Sequence, residues 1–486
     1  MGLNYRAALN ILGVILTILS VIFMLPVIVS IIYHEYTNAL IFTGTAAAVF
    51  IAGLPLRRMT KSQLGDLGIR EGFFVVSSTW IVISFVGALP FVISGEISGF
   101  ADALFESCSG FSTTGATILT DIESMSRGML FWRSFTHWIG GMGVLILAIA
   151  IIPMLYKGKQ NLALESTGPT IEKTASTMMS SAKSLYLIYI GFTVIQTVLL
   201  MAGGMNLYDS LVHTFGSVGT GGFSTYNDSI AHFDSLYIEI VTMIFMFMCG
   251  VSFNLYYIAL TKGLINIFRN PEFRLYSAFI AVAILIITLD LVFKGGYSAG
   301  ESLRDSSFQV ISIITTTGYA TCDYNTWPSL SRIIIFMLFF CGGCASSTAG
   351  GIKVYRVQVI FRMVKRSIGI RLHPNAVINV SISNKRLQNE VVINVTSFVF
   401  LYLSVMAIGT LLISVDNFDF TTNLTAAASC LGNIGPGFNL VGPVCNYSIF
   451  SPFSKLVMSF LMICGRLELY TFLAFFTPHY WNPDRY

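Results

Sequence analysis

Ten stretches of twenty or more mostly apolar residues run through this chain, near 7–32, 38–57, 73–95, 129–156, 183–203, 235–261, 273–293, 328–364, 391–413 and 452–477. About twenty apolar residues cross a bilayer as a helix. Backbone groups in hydrocarbon must be satisfied inside the segment, so runs of this length specify helices. Hydrophobic residues make up 54% of the 486 and charged residues 11%, against about 25% charged in soluble domains. Such a chain cannot cover a water-facing surface, and a lipid bilayer is its solvent. The net charge of +4 is modest, and no concentrated basic face points to nucleic acid. The first run is too long for a signal-peptide core and lacks a small-residue cleavage site, so it reads as an uncleaved span. The eighth is interrupted between Cys341 and Gly351 and predicts a broken helix.

Lysine and arginine set the orientation. One set of connections holds Arg57, Arg58, Lys61, Arg70, Lys157, Lys159, Lys173, Lys183, Lys262, Arg269, Arg274, Arg362, Lys365, Arg366, Arg371, Lys385 and Arg386. The alternate connections hold Arg127, Lys294, Arg304 and few others. The first set is therefore expected in the cytoplasm. With ten spans, both termini are expected there too.

Four segments on the opposite side share a pattern. They begin at Asp102, Asp209, Asp305 and Thr422, residue types suited to capping a helix, and each reaches a glycine thirteen residues later: Gly115, Gly222, Gly318 and Gly435. About ten helix-compatible residues lie between, too few to cross a bilayer. Glu106, His213 and Gln309 occupy the same place in three of them, and lipid tolerates such side chains only at a cost. Ordinary surface loops would explain the Gly, Ser and Thr content, but not one offset kept four times. The expected fold is all-α and polytopic. Four pseudo-repeated helix–pore loop–helix units surround one pore, with two extra N-terminal spans, giving about ten spans and four re-entrant pore helices. The expected boundaries are 1–70 for the N-terminal spans and a cytoplasmic loop, then 71–180, 181–270, 271–385 and 386–486 for the four units.

The loop residues suit a dehydrated cation. They are Thr113-Thr114-Gly115-Ala116, Thr220-Gly221-Gly222-Phe223, Thr316-Thr317-Gly318-Tyr319 and Asn433-Ile434-Gly435-Pro436. Glycine tolerates positive φ and lets carbonyl oxygens turn inward, where a ring of them replaces an ion's water. None of these positions is a carboxylate, which would favour divalent or unselective binding. The short helices aim the negative ends of their dipoles at the same place. Thr-Thr-Gly-Tyr is close to the core of potassium-channel filters. One glycine, not two, recurs in all four loops, which predicts a looser cage. Gly219-x-Gly221-Gly222 also fits a nucleotide-binding glycine loop, but no strand precedes it.

The interruption reads Gly342-Gly343-Cys344-Ala345-Ser346-Ser347-Thr348-Ala349-Gly350-Gly351. Each Gly costs a helix about 1 kcal/mol relative to Ala, so a flexible plug under the loops is expected. A tight helix contact through small residues is the alternative. Lys353 is expected near the cytoplasmic mouth. Gly141, Gly250, Gly343 and Gly465 follow the four loops at similar distances, as bends or as close-packing points. His137 and Asp290 read as satisfied structural residues. Cys341 and Cys344 fit a C-x-x-C spacing without a redox context, and a disulfide between Cys322 and Cys445 is possible on spacing alone.

Together with His137-Trp-Ile-Gly-Gly-Met-Gly143, Gly342-Gly-Cys-Ala-Ser-Ser-Thr-Ala-Gly-Gly-Ile-Lys-Val354 and Gly465-Arg-Leu-Glu468, the four loops make the chain resemble the TrkH/TrkG branch of the Trk/Ktr/HKT potassium-transporter superfamily. The resemblance runs over essentially the whole chain. It implies a potassium-uptake subunit of the bacterial inner membrane, a homodimer with one pore per protomer, and a cytoplasmic nucleotide-binding partner of the TrkA type. It implies that Gly342 to Lys353 is a gate, and that Arg466 lies in the pore below the filter as an electrostatic barrier. At a spacing of two, Arg466 and Glu468 do not face each other on a helix.

Potassium is thus the expected transported ion at the loop residues, and no organic cofactor is expected. A Na⁺- or H⁺-coupled symporter would need an intramembrane carboxylate, and Glu239, Asp290 and Glu468 are the candidates. A membrane enzyme would need a nucleophile with a base or a metal cluster. The chain has six histidines and neither an H-E-x-x-H nor a G-x-S-x-G motif.

Overall fold

The computed structural model describes residues 5–58, 69–156, 175–376, 378–382 and 385–481. Lys61, Lys157, Lys159 and Lys173, used in the orientation argument, lie outside them.

Helix α1 (Tyr5–Ile22) continues past a turn at Phe23 as α2 (Met24–Ile32), and the chain returns as α3 (Tyr36–Arg58). A Cβ on Gly13 would lie 2.8 Å from the Gly53 carbonyl oxygen, so two glycines let α1 and α3 cross closely.

Then come α4 (Ile69–Ser94), the short α5 (Phe100–Phe111) and α6 (Arg127–Tyr156). They are followed by α7 (Ala175–Ala202), the short α8 (Leu207–Gly219), α9 (Leu236–Cys249), α10 (Phe253–Lys262) and α11 (Ile265–Arg269). Next are α12 (Pro271–Asp290), α13 (Ala299–Ile314), α14 (Ser329–Leu338) and α15 (Val354–Leu372). A small hairpin of β1 (Ser381–Ile382) and β2 (Lys385–Arg386) leads to α16 (Asn389–Ile413), the short α17 (Phe420–Gly432), α18 (Pro452–Arg466), α19 (Tyr470–Ala474) and α20 (Pro478–Trp481).

Six helical spans among the described residues are long and apolar enough to cross a membrane, and seven if α9 and α10, bent by 88°, are counted as one. The expected stretches 129–156, 328–364 and 452–477 correspond to α6, to α14 and α15 with residues 339–353 between them, and to α18 and α19. The sixth and tenth stretches also break, just after Cys249 and Arg466, next to Gly250 and Gly465, which the sequence offers as bends or as packing points. The outward faces of α7, α12 and α16 are apolar, with Val194, Val198, Leu285, Leu289, Phe400 and Leu411 exposed. A contiguous apolar exterior of this kind needs lipid against it.

The short helices begin earlier than the sequence pattern implied. Asn206 accepts from the Asp209 N–H at 2.8 Å, Ser298 from Glu301 N–H at 3.3 Å and Asp419 from Thr422 N–H at 3.1 Å. A cap side chain serves the N–H three residues on, so Asp209 and Thr422 are the residues capped. Gly99 precedes α5 without a side-chain cap, and Asp305 lies inside α13. The helices run 12, 13, 16 and 13 residues, longer than the ten expected. Helix α5 packs on α4, α6 and α18, α8 on α6, α7 and α9, α13 on α9, α12 and α14, and α17 on α16 and α18. Three of the four therefore touch the helix that leaves a neighbouring loop.

Candidate functional site

The four loops have one backbone. Thr113, Thr220, Thr316 and Asn433 take left-handed φ values of 57°, 55°, 54° and 55°, and two residues later Gly115, Gly222, Gly318 and Gly435 take 82°, 78°, 83° and 105°. A β-branched residue in this region is strained. It persists only where its surroundings over-determine it. Positive φ turns successive carbonyls out of the helical direction, which a four-residue turn at the end of a short helix cannot otherwise achieve.

The loops meet head to side in a closed ring. A Cβ on Gly115 would collide with the carbonyl oxygen of Gly221, one on Gly222 with that of Thr317 and one on Gly318 with that of Ile434. The circle closes where Gly435 meets the carbonyl oxygen of Thr114, 2.8 Å from a built Cβ. Gly221, Thr317, Ile434 and Thr114 each stand one residue before the loop glycine, so the ring joins equivalent positions in cyclic order. Asn433 Nδ2 donates to the Thr114 hydroxyl across the closing seam at 3.0 Å. The fourth loop departs from the others at Gly435, whose carbonyl accepts from Ser429 Oγ and from Tyr447 OH, both at 2.8 Å. Both its lone pairs are used. Ala116, Phe223 and Tyr319 follow their glycines and are buried, while Pro436 lies with its ring against Gly318.

The polar residues at the shared helix position hook the chain after the first three loops. Glu106 accepts from the Thr117 hydroxyl at 2.9 Å and the Ile118 N–H at 3.0 Å. His213 Nε2 meets Ser224 Oγ at 2.9 Å. Gln309 Nε2 lies 3.4 Å from the Cys322 carbonyl. Glu106 also forms a fully buried ion pair with Arg133 at 2.6 Å. Arg133 donates to the Ser224 carbonyl at 3.0 Å and covers the Phe223 ring at 3.5 Å.

The Gly342–Gly351 tract is a compact non-helical loop directly against this ring. Its Gly350 N–H donates to Thr316 Oγ1 at 2.6 Å. Gly342 N–H donates to the Ile352 carbonyl, Cys344 N–H to the Gly250 carbonyl at 2.8 Å, and Ala345 N–H to Glu272 at 2.7 Å. Glu272 also accepts from Tyr355 N–H at 3.1 Å, holding the start of α15. Ala345, Ser347, Thr348 and Ala349 are buried, and Ser346 O accepts from Phe253 N–H at 3.1 Å. A helix–helix contact through small residues is thus not what the tract forms. Lys353 does not reach outward, because its Nζ donates back to the Ala349 carbonyl and the residue is buried.

Arg466, buried at the end of α18, donates from Nη1 to the Thr348 carbonyl at 2.7 Å and from Nη2 to the Gly140 carbonyl at 2.8 Å. Glu468 pairs with Arg356 at 2.5 Å rather than with its near neighbour. Gly250 ends α9 at the 88° bend, whereas Gly141 sits in uninterrupted α6 with Gly219 Cα 2.8 Å from a built Cβ and is a packing point. His137 Nδ1 contacts the Gly110 carbonyl at 2.8 Å, and Asp290 accepts from Ser331 Oγ at 2.7 Å. All eight cysteines are free thiols, Cys322 and Cys445 included.

Residues 37–482 match the TrkH family, described as cation transport proteins. The chain belongs to that family. It is 34% identical to the Trk system potassium uptake protein TrkH of Escherichia coli K12, over 99% of this chain and 100% of that one. It is 32% identical to the Trk system potassium uptake protein TrkG of the same organism, over 99% of each. Its backbone resembles the crystal structure of the potassium transporter TrkH from Vibrio parahaemolyticus with a TM-score of 0.90 and 30% identity, over 99% of this chain and 100% of that chain. The TrkH family consists of membrane transport proteins, not enzymes.

For this TrkH-family chain, sequence reasoning placed Thr113, Thr220, Thr316 and Asn433 in the loops but overlooked the left-handed backbone each adopts two places before its glycine. It also overlooked Arg133, Glu272 and Arg356, whose partners are 27, 73 and 112 residues away. No local spacing signals such pairs.

Proposed function

We propose that this chain takes up potassium across the bacterial inner membrane, through a filter made by the four loops. The observation that carries the proposal is the cyclic contact of Gly115, Gly222, Gly318 and Gly435 with the carbonyls of Gly221, Thr317, Ile434 and Thr114. Carbonyls at one level around one centre are what a cation needs in exchange for its water. The potassium uptake named for the relatives fits this chemistry, with K⁺ as cargo at Thr113–Ala116, Thr220–Phe223, Thr316–Tyr319 and Asn433–Pro436. In this reading there are four repeated units with boundaries at 71, 181, 271 and 386, ten spans with four re-entrant helices, and two extra N-terminal spans. Both termini are cytoplasmic.

In the same reading Gly342–Gly351 with Lys353 is the gate, closed in this conformation, and Arg466 is the barrier beneath the filter. A homodimer and a cytoplasmic nucleotide-binding subunit of the TrkA type complete the proposed assembly. Glu239 is paired with Arg304 at 2.7 Å, Asp290 with Lys294 at 3.3 Å and Glu468 with Arg356. Carboxylates already engaged this way favour passive, gated flux over coupled symport.

The test is rubidium-tracer uptake into proteoliposomes, competed by K⁺ or Na⁺, with Gly318→Ser in parallel and the regulatory subunit supplied. Potassium should compete far better than sodium, and the variant should lose that preference. A Gly318→Ser protein that discriminates like the parent would remove Gly318 from the path and sink the filter.

A further inference from the structure

Each seam of the ring is tied from behind, three by a buried side chain and the fourth by the backbone N–H of buried Tyr447. Between loops one and two, Arg133 joins Glu106, which holds Thr117 and Ile118, to the Ser224 carbonyl. Between loops two and three, the Tyr319 hydroxyl lies 3.0 Å from the His213 carbonyl and 3.1 Å from that of Phe223. Between loops three and four, Tyr324 OH donates to the Gly437 carbonyl at 2.8 Å. Between loops four and one, Tyr447 donates its N–H to the Thr117 carbonyl and its hydroxyl to that of Gly435, both at 2.8 Å. The three tyrosines are at most 2% exposed.

We infer that Arg133, Tyr319, Tyr324 and Tyr447 form a belt that fixes the bore of the loop ring and so sets which monovalent cation it prefers. These are positioning residues: their side chains act through the loop backbone and do not touch the ion, Tyr319 lending the filter its main chain alone. The inference rests on the filter reading above. A ring of carbonyls attracts a small ion as well as a large one, and a ring free to shrink would close on sodium. The loop backbone by itself is a poor spacer, because four of its residues sit in strained conformations. What opposes shrinkage is a set of donors outside the ring that hold particular carbonyls where they are. The Gly435 carbonyl shows this most directly, being held by two hydroxyls. The one charged tie lies at the seam where loop two offers Gly221-Gly222, the most pliant pair among the four loops.

The experiment measures the ratio of sodium to potassium concentrations that halve rubidium uptake, for Tyr319→Phe, Tyr324→Phe and Tyr447→Phe. Each keeps the aromatic packing and deletes only the hydroxyl, which for Tyr447 is the tie to the Gly435 carbonyl of its own loop. Tyr256→Phe is the control, since its hydroxyl donates to the Met248 carbonyl at 2.7 Å, away from the loops. Loss of one net hydrogen bond should lower the preference about two- to tenfold in the belt variants, with uptake retained and Tyr256→Phe unchanged. A preference unaltered in every belt variant that still takes up rubidium overturns the inference. So does an equal loss in Tyr256→Phe. Gly318→Ser separates the two claims: if it abolishes preference while the tyrosine variants keep it, the belt falls and the filter stands. If Gly318→Ser also discriminates normally, the filter itself is wrong. Thermal melting of each purified variant identifies any that fails to fold, and the three seams are independent, so one such loss leaves two readings.

Discussion

Arg466 Nη1 donates to the carbonyl oxygen of Thr348 at 2.7 Å, tying the last broken helix to the middle of the non-helical loop. Its Nη2 holds the Gly140 carbonyl on α6, so the guanidinium clamps the loop against the first unit. A hydrogen bond to a charged group contributes about 1.5–3 kcal/mol. Arg466→Ala should therefore shift the loop toward an open state by roughly ten- to hundredfold, read as faster tracer leak without the regulatory subunit. Arg466→Lys distinguishes a clamp from a bare positive barrier. Lysine keeps the charge but cannot span two carbonyls in fixed geometry, so a clamp predicts a leak in both variants. Wild-type flux in the lysine variant would make charge alone the explanation.

Thr316 links the loop ring to the Gly342–Gly351 tract, the proposed gate. Its hydroxyl accepts the Gly350 N–H at 2.6 Å while its backbone holds φ at 54°. Thr316→Val keeps the shape and the strain but removes the acceptor and leaves a buried N–H unpaired, at about 1–3 kcal/mol. Thr316→Ser keeps the acceptor. Basal flux should rise in the valine variant by about tenfold and stay near the parent in the serine variant. Equal flux in the two would break the proposed link between ring and gate.

Two glycines should respond in opposite directions to alanine. At Gly115 the φ of 82° is unfavourable to any side chain and the new methyl would strike the Gly221 carbonyl. The left-handed conformation alone costs about 1–2 kcal/mol, so Gly115→Ala should lower the melting temperature and abolish potassium preference. At Gly300, in the first turn of α13, nothing lies within 4 Å of a built Cβ. Gly300→Ala should stabilise by about 0.4–1 kcal/mol through the unfolded chain. Melting curves of the two purified variants check the pair, and a stabilised Gly115→Ala would refute the ring contact.

Much of this was legible in the sequence because hydropathy and turn chemistry are local. Apolar runs placed the long helices, and the fixed interval to Gly115, Gly222, Gly318 and Gly435 placed the loops, since each turn needs a residue able to take positive φ. The starts of three short helices were misjudged by three residues, and that of α13 by seven. Asp209 and Thr422 are good capping types, but Asn206 and Asp419 lie upstream and reach their N–H groups first. What sequence did not show is the cross-chain wiring. The Arg133–Glu106 pair and the contacts of Glu272 depend on which helices become neighbours, and so does the need for glycine at position 250, where the Tyr276 hydroxyl fills the space a side chain would need.

Asp419 gives the fourth short helix an acid-sensitive anchor. It caps α17 through the Thr422 N–H and also accepts from the Thr422 hydroxyl and, at 2.9 Å, from Asn439 Nδ2. Partial burial pushes its carboxyl up, but these hydrogen bonds outweigh that and hold it below the usual carboxylate range. A lowered folded-state value means that the ionised form stabilises the fold. That contribution is complete above the unfolded Asp value of about 3.9 and is lost as pH falls through the lower folded value. Asp419→Ala should cost about 1 kcal/mol at neutral pH, the usual worth of a cap. Asp419→Asn keeps a capping oxygen but cannot titrate. Melting temperatures between pH 3 and 7 should show wild type above the asparagine variant at neutral pH, with the gap closing below about pH 4. A gap that stays constant across that range would show that ionisation of Asp419 does not support the helix.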